Sequence, residues 1–344
     1  MAKKIFSLIE QLDSFATKHN LDLSTENGIK KLPSILEKET REIRNSPTFV
    51  YGKRTENIFF EMVKELKAVA LIQKLDEEKY FSADNIQIPD FKIILKNGEK
   101  YFIEVKNFSP KTQNKNVKTF QYSFTKSYIS KIKTYSKITG SPIKIAIYWK
   151  KLGKWSLNNL GDFKLQRGKY TLEMSVAFEK NHMFELGDKA VATTSPLIFR
   201  IKIKPENLNI NRKNEKVSAK ITGIYLVSTE GIIRNKEIER LAFYLFWFGT
   251  WKSPKEELLI TNGNLVGWDY ISVPEEKITD QPFQIIAYLS DLYTNIFFFQ
   301  TEGQSNLPKM TSLKGLPSLD KILPNEPFNK GLPLWVFEIT PKQS

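Results

Sequence analysis

The sequence predicts an α/β fold, because helical and strand patterns alternate through its first half. Residues 54–75 have the apolar periodicity of a long helix, and residues 79–106 are typical of strands. A second helix is expected over 124–139, before a short apolar strand at 143–149. Alternation of this kind is typical of one sheet with helices packed against it. We therefore expect a core of a helix, strands, a second helix and a further strand.

The chain is long enough for more than one domain. Its 344 residues suggest two, at roughly 150 residues per domain. Residues 1–45 are expected to form an N-terminal helical segment, and Asn45-Ser-Pro47 then breaks the pattern. Residues 46–188 would hold the α/β core. Residues 189–344 would form a C-terminal α+β domain, with strands and helices expected at 197–204, 218–227, 235–248 and 282–298.

The composition excludes several classes of protein. There is no cysteine and there are only two histidines, so disulfide scaffolds, thiolate zinc sites and histidine cages are excluded. Any metal must be held by oxygen, as magnesium, manganese and calcium are. No apolar run approaches the ~20 residues of a membrane span, and the charged N-terminus is unlike a signal peptide. We expect a cytoplasmic protein without membrane contact. Walker and Rossmann motifs are absent, so no nucleotide cofactor is expected.

The positive charge of the chain is concentrated in one stretch. Residues 96–154 contain fourteen lysines and only two acidic residues, which leaves +12 of the total net charge of +14. Such a concentration favours a polyanionic partner, and nucleic acid is the natural one. A solvated lysine-rich surface without a partner is the alternative.

Two strand-like runs flank Asn97-Gly98, a strong signal for a β-hairpin. A three-residue loop that ends at a left-handed Gly98 sets Asp90 opposite Glu104. A two-residue loop would set Asp90 opposite Val105 and place the two carboxylates on different faces. We prefer the first register because it leaves one face wholly apolar and groups polar side chains on the other. The apolar face then holds Phe91, Ile93, Leu95, Tyr101, Ile103 and Val105.

In the preferred register Asp90 and Glu104 lie side by side, where their charges would repel each other without a cation between them. A divalent cation removes that conflict, and the carbonyl oxygen of Val105 lies close enough to join the two carboxylates. Lys106, on the same face, can orient a water molecule or offset negative charge on a phosphate. These groups suit the hydrolysis of phosphodiesters by metal-bound water. We expect Mg²⁺ as the cofactor, with Mn²⁺ able to substitute.

The pair Pro89-Asp90, followed after thirteen residues by Glu104-Val105-Lys106, resembles the PD-(D/E)XK nuclease superfamily. That superfamily has the restriction-endonuclease-like fold: a helix, a three-strand meander, a helix and a further strand. The resemblance covers about residues 46–150 and does not reach the second half of the chain. It implies a metal-dependent nuclease with Asp90, Glu104 and Lys106 in its active site.

The resemblance also implies an acidic residue on the first helix that helps to hold the metal. Glu56 and Glu61 both lie in the predicted helix. At about 100° per residue, Glu56 shares the inward face with Phe60 and Val63, whereas Glu61 points to the other side, near Lys64. We therefore expect Glu56 to be the catalytic and metal-binding residue of this helix.

The sequence thus predicts a metal-dependent endonuclease that acts on DNA, of the restriction or defence, recombination or repair type. RNA as the substrate stays open, and so does a non-catalytic nucleic-acid-binding or assembly protein that retains the fold. The intact Asp90, Glu104 and Lys106 argue against the non-catalytic alternative. Residues 189–344 would serve recognition or assembly, and a homodimer is compatible with that role. Backbone phosphates are expected to contact Lys111, Lys115, Lys118, Lys126, Lys131 and Lys133.

Overall fold

The computed structural model describes residues 9, 12–75, 80–110, 120–211, 216–274, 278–301, 318–323, 328–329 and 331–341. Met1–Arg54 and Thr55–Ser344 form two compact units. The predicted division into three domains, 1–45, 46–188 and 189–344, stays a prediction. Within the described residues, no helix has the length and apolar character needed to cross a membrane.

The described chain is a mixed α/β protein with several sheets. Residues 12–18 are helical. The further helices are α1 (Glu26–Arg44), α2 (Pro47–Leu66), α3 (Lys126–Thr139), α4 (Met174–Glu179), α5 (Lys236–Phe248), α6 (Leu289–Thr301) and α7 (Leu319–Ile322). The strands before residue 200 begin with β1 (Val69–Lys74), β2 (Phe91–Leu95), β3 (Lys100–Phe108), β4 (Gln121–Thr125), β5 (Ile143–Trp149), β6 (Lys154–Asn159), β7 (Lys164–Gln166), β8 (Lys169–Glu173), β9 (Ala190–Thr193) and β10 (Leu197–Ile203). The later strands are β11 (Asn209–Asn211), β12 (Lys216–Ser218), β13 (Ile221–Ser228), β14 (Gly231–Ile232), β15 (Lys255–Thr261), β16 (Asn264–Ser272), β17 (Gln284–Tyr288), β18 (Phe328–Asn329) and β19 (Leu332–Phe337).

The central sheet has the strand order β1-β2-β3-β5-β6. β1, β2 and β3 pair antiparallel as a meander, β3 and β5 pair parallel, and β6 returns antiparallel along β5. A parallel pair needs a crossover connection, and α3 lies in the segment that supplies it. Thr125 caps α3 by accepting a hydrogen bond from the backbone N–H of Tyr128, and Gly140 ends it with a φ of +63°.

Two apolar clusters cover the two faces of the central sheet. One cluster combines the apolar face of the β2–β3 hairpin with Phe59 of α2 and Phe297 of α6. The other places Phe102 of β3 with Ile129 and Ile132 of α3. The hairpin that carries the candidate site is therefore covered on both faces.

The prediction of one helix over 54–75 is wrong. The helix ends at Leu66, Lys67 takes a φ of +65°, and residues 69–74 form β1. β1 pairs with β2 from Val69 opposite Leu95 to Lys74 opposite Phe91. This tertiary pairing outweighs the helical spacing of the apolar residues, because sheet context readily overrides local propensity.

Two later helix predictions are also wrong in part. Residues 284–288 form β17, which pairs with β9, and the helix α6 begins only at Leu289. The apolar pattern of residues 172–184 likewise predicts a helix, but β8 extends to Glu173 and only the short α4 is an α-helix. In both cases a strand and a helix adjoin without a loop, so the apolar pattern runs through the junction.

Candidate active site

The β2–β3 hairpin has the predicted three-residue loop. The backbone N–H of Leu95 donates to the carbonyl of Glu99 over 2.9 Å, and that of Gly98 donates to the carbonyl of Leu95 over 3.0 Å. Gly98 takes a φ of +91°, in the left-handed region that glycine adopts most readily. Ladder pairs such as Phe91 with Ile103 extend this register, so Asp90 stands opposite Glu104. The predicted register is confirmed.

The two faces of the hairpin separate as predicted, but the polar face is not open to solvent. All six residues of the predicted apolar face belong to one buried cluster. On the other face Glu104 is only 2% exposed. The helix α3 covers this face: Tyr135 packs edge-on to Phe102 with ring centroids 5.0 Å apart, and Tyr128 reaches Glu104. The helix α3 therefore shields the polar face of the hairpin from solvent at Glu104.

Asp90 lies just before β2 and is tied to the neighbouring strand. Its Oδ2 accepts a hydrogen bond of 2.6 Å from the backbone N–H of Val105. Burial, together with the charges of Glu104 and Glu56, raises the pKa of Asp90 to about 8, against the opposing effect of Lys106. Without a cation, this carboxyl group holds its proton at neutral pH.

Glu104 is the most buried acid of the hairpin and has two donors on one oxygen. Its Oε1 accepts hydrogen bonds from Lys106 Nζ and from the hydroxyl of Tyr128. Its Oε2 is buried, and no described group donates to it. Burial favours the neutral form of Lys106, but Glu104, Tyr128 and Asp90 together outweigh that effect and raise the pKa of Lys106. Glu104 and Lys106 thus form an ion pair that leaves Glu104 Oε2 without a described donor.

The structure separates the two glutamates of α2. Glu56 lies close enough to Asp90 for its charge to raise the pKa of that carboxyl group. Glu61 Oε2 instead accepts a hydrogen bond of 2.7 Å from Lys64 Nζ, and both of these side chains are partly exposed. Glu56 is therefore brought towards the hairpin acids, whereas Glu61 has its partner on the helix surface.

Tyr128 is a member of the site that sequence reasoning did not identify. The sequence placed it on one side of the basic helix with Ile132 and Tyr135, but gave no indication of what it contacts. Its ring stacks on Phe124 at a centroid distance of 5.0 Å, and Lys106 Nζ lies 5.3 Å from its ring centroid. Burial and the charge of Glu104 raise the pKa of Tyr128, so the phenol keeps its hydrogen and donates it.

The predicted backbone-binding lysines divide into two groups. Lys126 and Lys133 are exposed on α3, and Lys131 is half-buried. Lys133 Nζ lies 5.3 Å from the ring centroid of Tyr170. The other three predicted lysines, Lys111, Lys115 and Lys118, lie outside the described residues.

A hard divalent cation requires several oxygen ligands. Over the described ranges, no group of three or more His, Cys, Asp or Glu side chains is placed to hold an ion. Two carboxylates and a backbone carbonyl are the oxygens that the hairpin itself offers, and one of them, Glu104 Oε2, is buried without a donor. Mg²⁺ is commonly bound through one or two carboxylates and keeps several waters. The residues present fit that mode of binding, and not an all-protein cage.

The chain has few detectable relatives among known proteins. No protein-family model matches the sequence, and no curated protein matches it. Among solved structures, a Holliday junction resolvase from Archaeoglobus fulgidus, an archaeal hyperthermophile, is similar at 15% identity and a TM-score of 0.29. The similarity covers 40% of this chain and 96% of the resolvase.

Proposed function

We propose that this protein is a Mg²⁺-dependent endonuclease that hydrolyses phosphodiester bonds of DNA. The observation that carries the proposal is the hairpin pairing of Asp90 with Glu104, beside Lys106 and a buried carboxylate oxygen that has no donor. A raised pKa at a buried carboxyl group, as at Asp90, is typical of functional sites. The proposal extends to Mn²⁺ as a substitute ion.

The order of elements supports the restriction-endonuclease-like core. α2 is followed by the antiparallel strands β1, β2 and β3, then by α3, and then by β5, which is parallel to β3. This is the helix, meander, helix and strand order that the resemblance implies. Among the described residues of this span, the one addition to that order is β4, which belongs to another sheet.

Each residue has a distinct role in the proposed mechanism. Asp90, Glu104 and the carbonyl of Val105 would hold the ion, and Glu56 would add negative charge from α2. If Mg²⁺ were held there, it would supply the Lewis-acid chemistry for attack of water on a phosphodiester. Lys106 holds a positive charge beside Glu104, where it can orient a water or offset charge on a phosphate oxygen. Tyr128 donates to Glu104 and fixes its orientation.

A cleavage assay tests the function directly. Labelled single-stranded and double-stranded DNA and RNA are incubated with the protein in Mg²⁺ and, separately, in EDTA. Cleavage of DNA that EDTA abolishes is the expected result. Cleavage of RNA alone would make the substrate RNA, and binding without cleavage would leave a non-catalytic protein.

Matched variants localise the activity. Asp90→Ala and Glu104→Ala each remove a proposed ligand and should abolish cleavage while the protein still binds DNA. Glu99→Ala serves as the control, because Glu99 is an exposed acid of the same hairpin and faces Leu95 across the loop. Activity in Asp90→Ala equal to that of the control would show that the site lies elsewhere.

The exposed lysines of α3 are proposed to contact backbone phosphates. Reversal of the charge at Lys126 or Lys133 should weaken binding to all DNA sequences alike, because phosphate contacts carry no sequence information. Each lost contact should also lower the salt dependence by about one unit of slope. A loss confined to one DNA sequence would identify these lysines as base readers instead.

A further inference from the structure

The three-stranded sheet β4-β8-β7 presents a polar face that the proposed active site does not use. Across β4 and β8, Ser123 pairs with Thr171 and Thr125 with Lys169; across β7 and β8, Gln166 pairs with Lys169. Paired residues share a face and successive residues alternate, so one face of this sheet is apolar and the other is polar. The polar face holds Gln121, Ser123, Thr125, Lys164, Gln166, Lys169, Thr171 and Glu173. All but Thr171 are exposed.

The apolar face fixes this sheet to the helix that reaches the active site. Phe124 and Leu172 belong to the same buried cluster as Ile129 and Ile132 of α3. Phe124 also stacks on Tyr128, which donates to Glu104. The sheet that carries the polar face therefore packs against α3, the same helix that supplies Tyr128 to Glu104.

The turn between β7 and β8 concentrates positive charge at one end of the sheet. It has two residues, Arg167 with a φ of +45° and Gly168 with a φ of +78°. Arg167 is exposed, Lys169 follows the turn, and Lys169 pairs with Thr125, the residue before Lys126 of α3. Within the described part of the chain, Lys164, Arg167 and Lys169 form no ion pair. The acid on the polar face, Glu173, lies at the opposite end of β8 from the turn.

We propose that the polar face of β4-β8-β7 and its turn at Arg167 bind the phosphate backbone of a DNA double helix. This inference rests on the proposed nuclease function and adds a second contact surface to it. Lysine, arginine, hydroxyl and amide side chains are the groups that contact phosphates. Proteins that bind single strands stack the bases on aromatic side chains, and the polar face carries none. A double helix keeps its bases stacked inside, so backbone contacts suffice.

The chain offers a matched pair of turns for the test. Asn262 and Gly263 form a similar two-residue turn, between β15 and β16, with φ values of +51° and +77°. Arg167→Asn removes the cation and installs a residue that tolerates this conformation, as Asn262 shows. Asn262→Arg adds the same cation to the same kind of turn elsewhere. The double variant Arg167→Asn/Asn262→Arg keeps the net charge of the wild type.

Binding is measured by fluorescence anisotropy with labelled duplex and single-stranded DNA and a labelled RNA duplex, in EDTA to prevent cleavage. Arg167→Asn should weaken binding to duplex DNA roughly threefold to tenfold and lower its salt slope by about one unit, and it should affect single strands less. Asn262→Arg should bind like the wild type, and the double variant like Arg167→Asn.

The other outcomes overturn the inference in distinguishable ways. Recovery of wild-type affinity in the double variant would show that only total charge matters. An equal loss with single strands would exclude the double helix as the partner, and a loss confined to the RNA duplex would exclude DNA. If the wild type cleaves DNA but Arg167→Asn binds duplex DNA as tightly as the wild type, the nuclease proposal would stand and the contact surface would be refuted. A wild-type protein that binds no nucleic acid would refute both.

Discussion

Tyr128 donates its hydroxyl hydrogen to the same oxygen of Glu104 that Lys106 contacts. Both donors therefore act on one side of the carboxylate, and the buried Oε2 is left with no described donor. A carboxylate held in this way has a fixed orientation and one oxygen available for a ligand. The phenol thus acts on the proposed chemistry only through Glu104, as a positioning residue.

Replacement of Tyr128 by phenylalanine tests that role. Tyr128→Phe should raise the Mg²⁺ concentration for half-maximal cleavage roughly tenfold, as loss of a group that orients a metal ligand commonly does. The stabilisation that Mg²⁺ gives against thermal unfolding should fall in parallel, which provides a readout independent of cleavage. Tyr135→Phe, on the same helix, is the control and should leave the Mg²⁺ requirement unchanged. Equal behaviour of the two variants would contradict a positioning role.

The two glutamates of α2 provide a second matched pair. Glu56→Gln removes a negative charge that acts on Asp90, so it should lower the cleavage rate and raise the Mg²⁺ requirement. Glu61→Gln breaks only a partly exposed ion pair with Lys64, which is worth about 0.2–1 kcal/mol. Both variants should fold, because glutamine is nearly as good a helix former as glutamate. If Glu61→Gln were the more damaging change in a Mg²⁺ titration, Glu61 would belong to the site.

A buried carboxyl group far along the chain predicts a pH-dependent stability. Burial, followed by the charge of Asp188, raises the pKa of Asp291 to about 8, while Lys154 opposes the shift. The folded protein therefore holds a proton that the unfolded chain loses above about pH 4. The free energy of unfolding should fall as pH rises from about 4 to about 8.

Substitution of Asp291 isolates this effect. Asp291→Asn cannot ionise, so it should be nearly as stable as the wild type at pH 4 and more stable above pH 8, by several kcal/mol at about 1.4 kcal/mol per unit of pKa shift. Urea unfolding at several pH values measures the difference. Asp280→Asn, at an exposed aspartate, should follow the wild-type curve. A pH dependence that survives in Asp291→Asn would assign it to another group.

Two glycines with the same backbone conformation differ in their surroundings. Gly187 has a φ of +92° and Gly98 a φ of +91°. A Cβ at Gly187 would lie 2.3 Å from the carbonyl oxygen of Leu66, whereas nothing lies within 4 Å of one at Gly98. Gly98→Ala should cost only the conformational penalty of about 1–2 kcal/mol. Gly187→Ala should cost roughly 1–3 kcal/mol more, because the backbone of Leu66 must move. Equal shifts of the urea midpoint would show that the backbone absorbs the clash freely.

The register of the hairpin and its apolar face could both be predicted, because both depend on local signals in the sequence. Asn97-Gly98 determines the loop, and the alternation from Phe91 to Val105 selects one register. The strand at 143–149 and the helix before it were predicted for the same reason, since Gly140 and Pro142 mark the boundary between them.

What could not be predicted depends on contacts between distant parts of the chain. The apolar spacing of residues 69–74 fits a helix, and only pairing with β2 makes them a strand. Nothing in the sequence indicates that Tyr128 lies over Glu104, because 24 residues separate them. The turn at Arg167 was not identified, since Arg-Gly is a weaker turn signal than Asn-Gly.

The indole of Trp155 sits where early and late parts of the chain meet. Its ring packs 5.5 Å from that of Phe59, and its Nε1 donates to Thr294 Oγ1 over 2.9 Å. A shortened protein that stopped at residue 188 would lose Thr294 and Phe297. Water would then reach this part of the core, and the Trp155 indole N–H would lose its acceptor. Transplanting the hairpin site into another protein would therefore require the late helix α6 as well as the early strands.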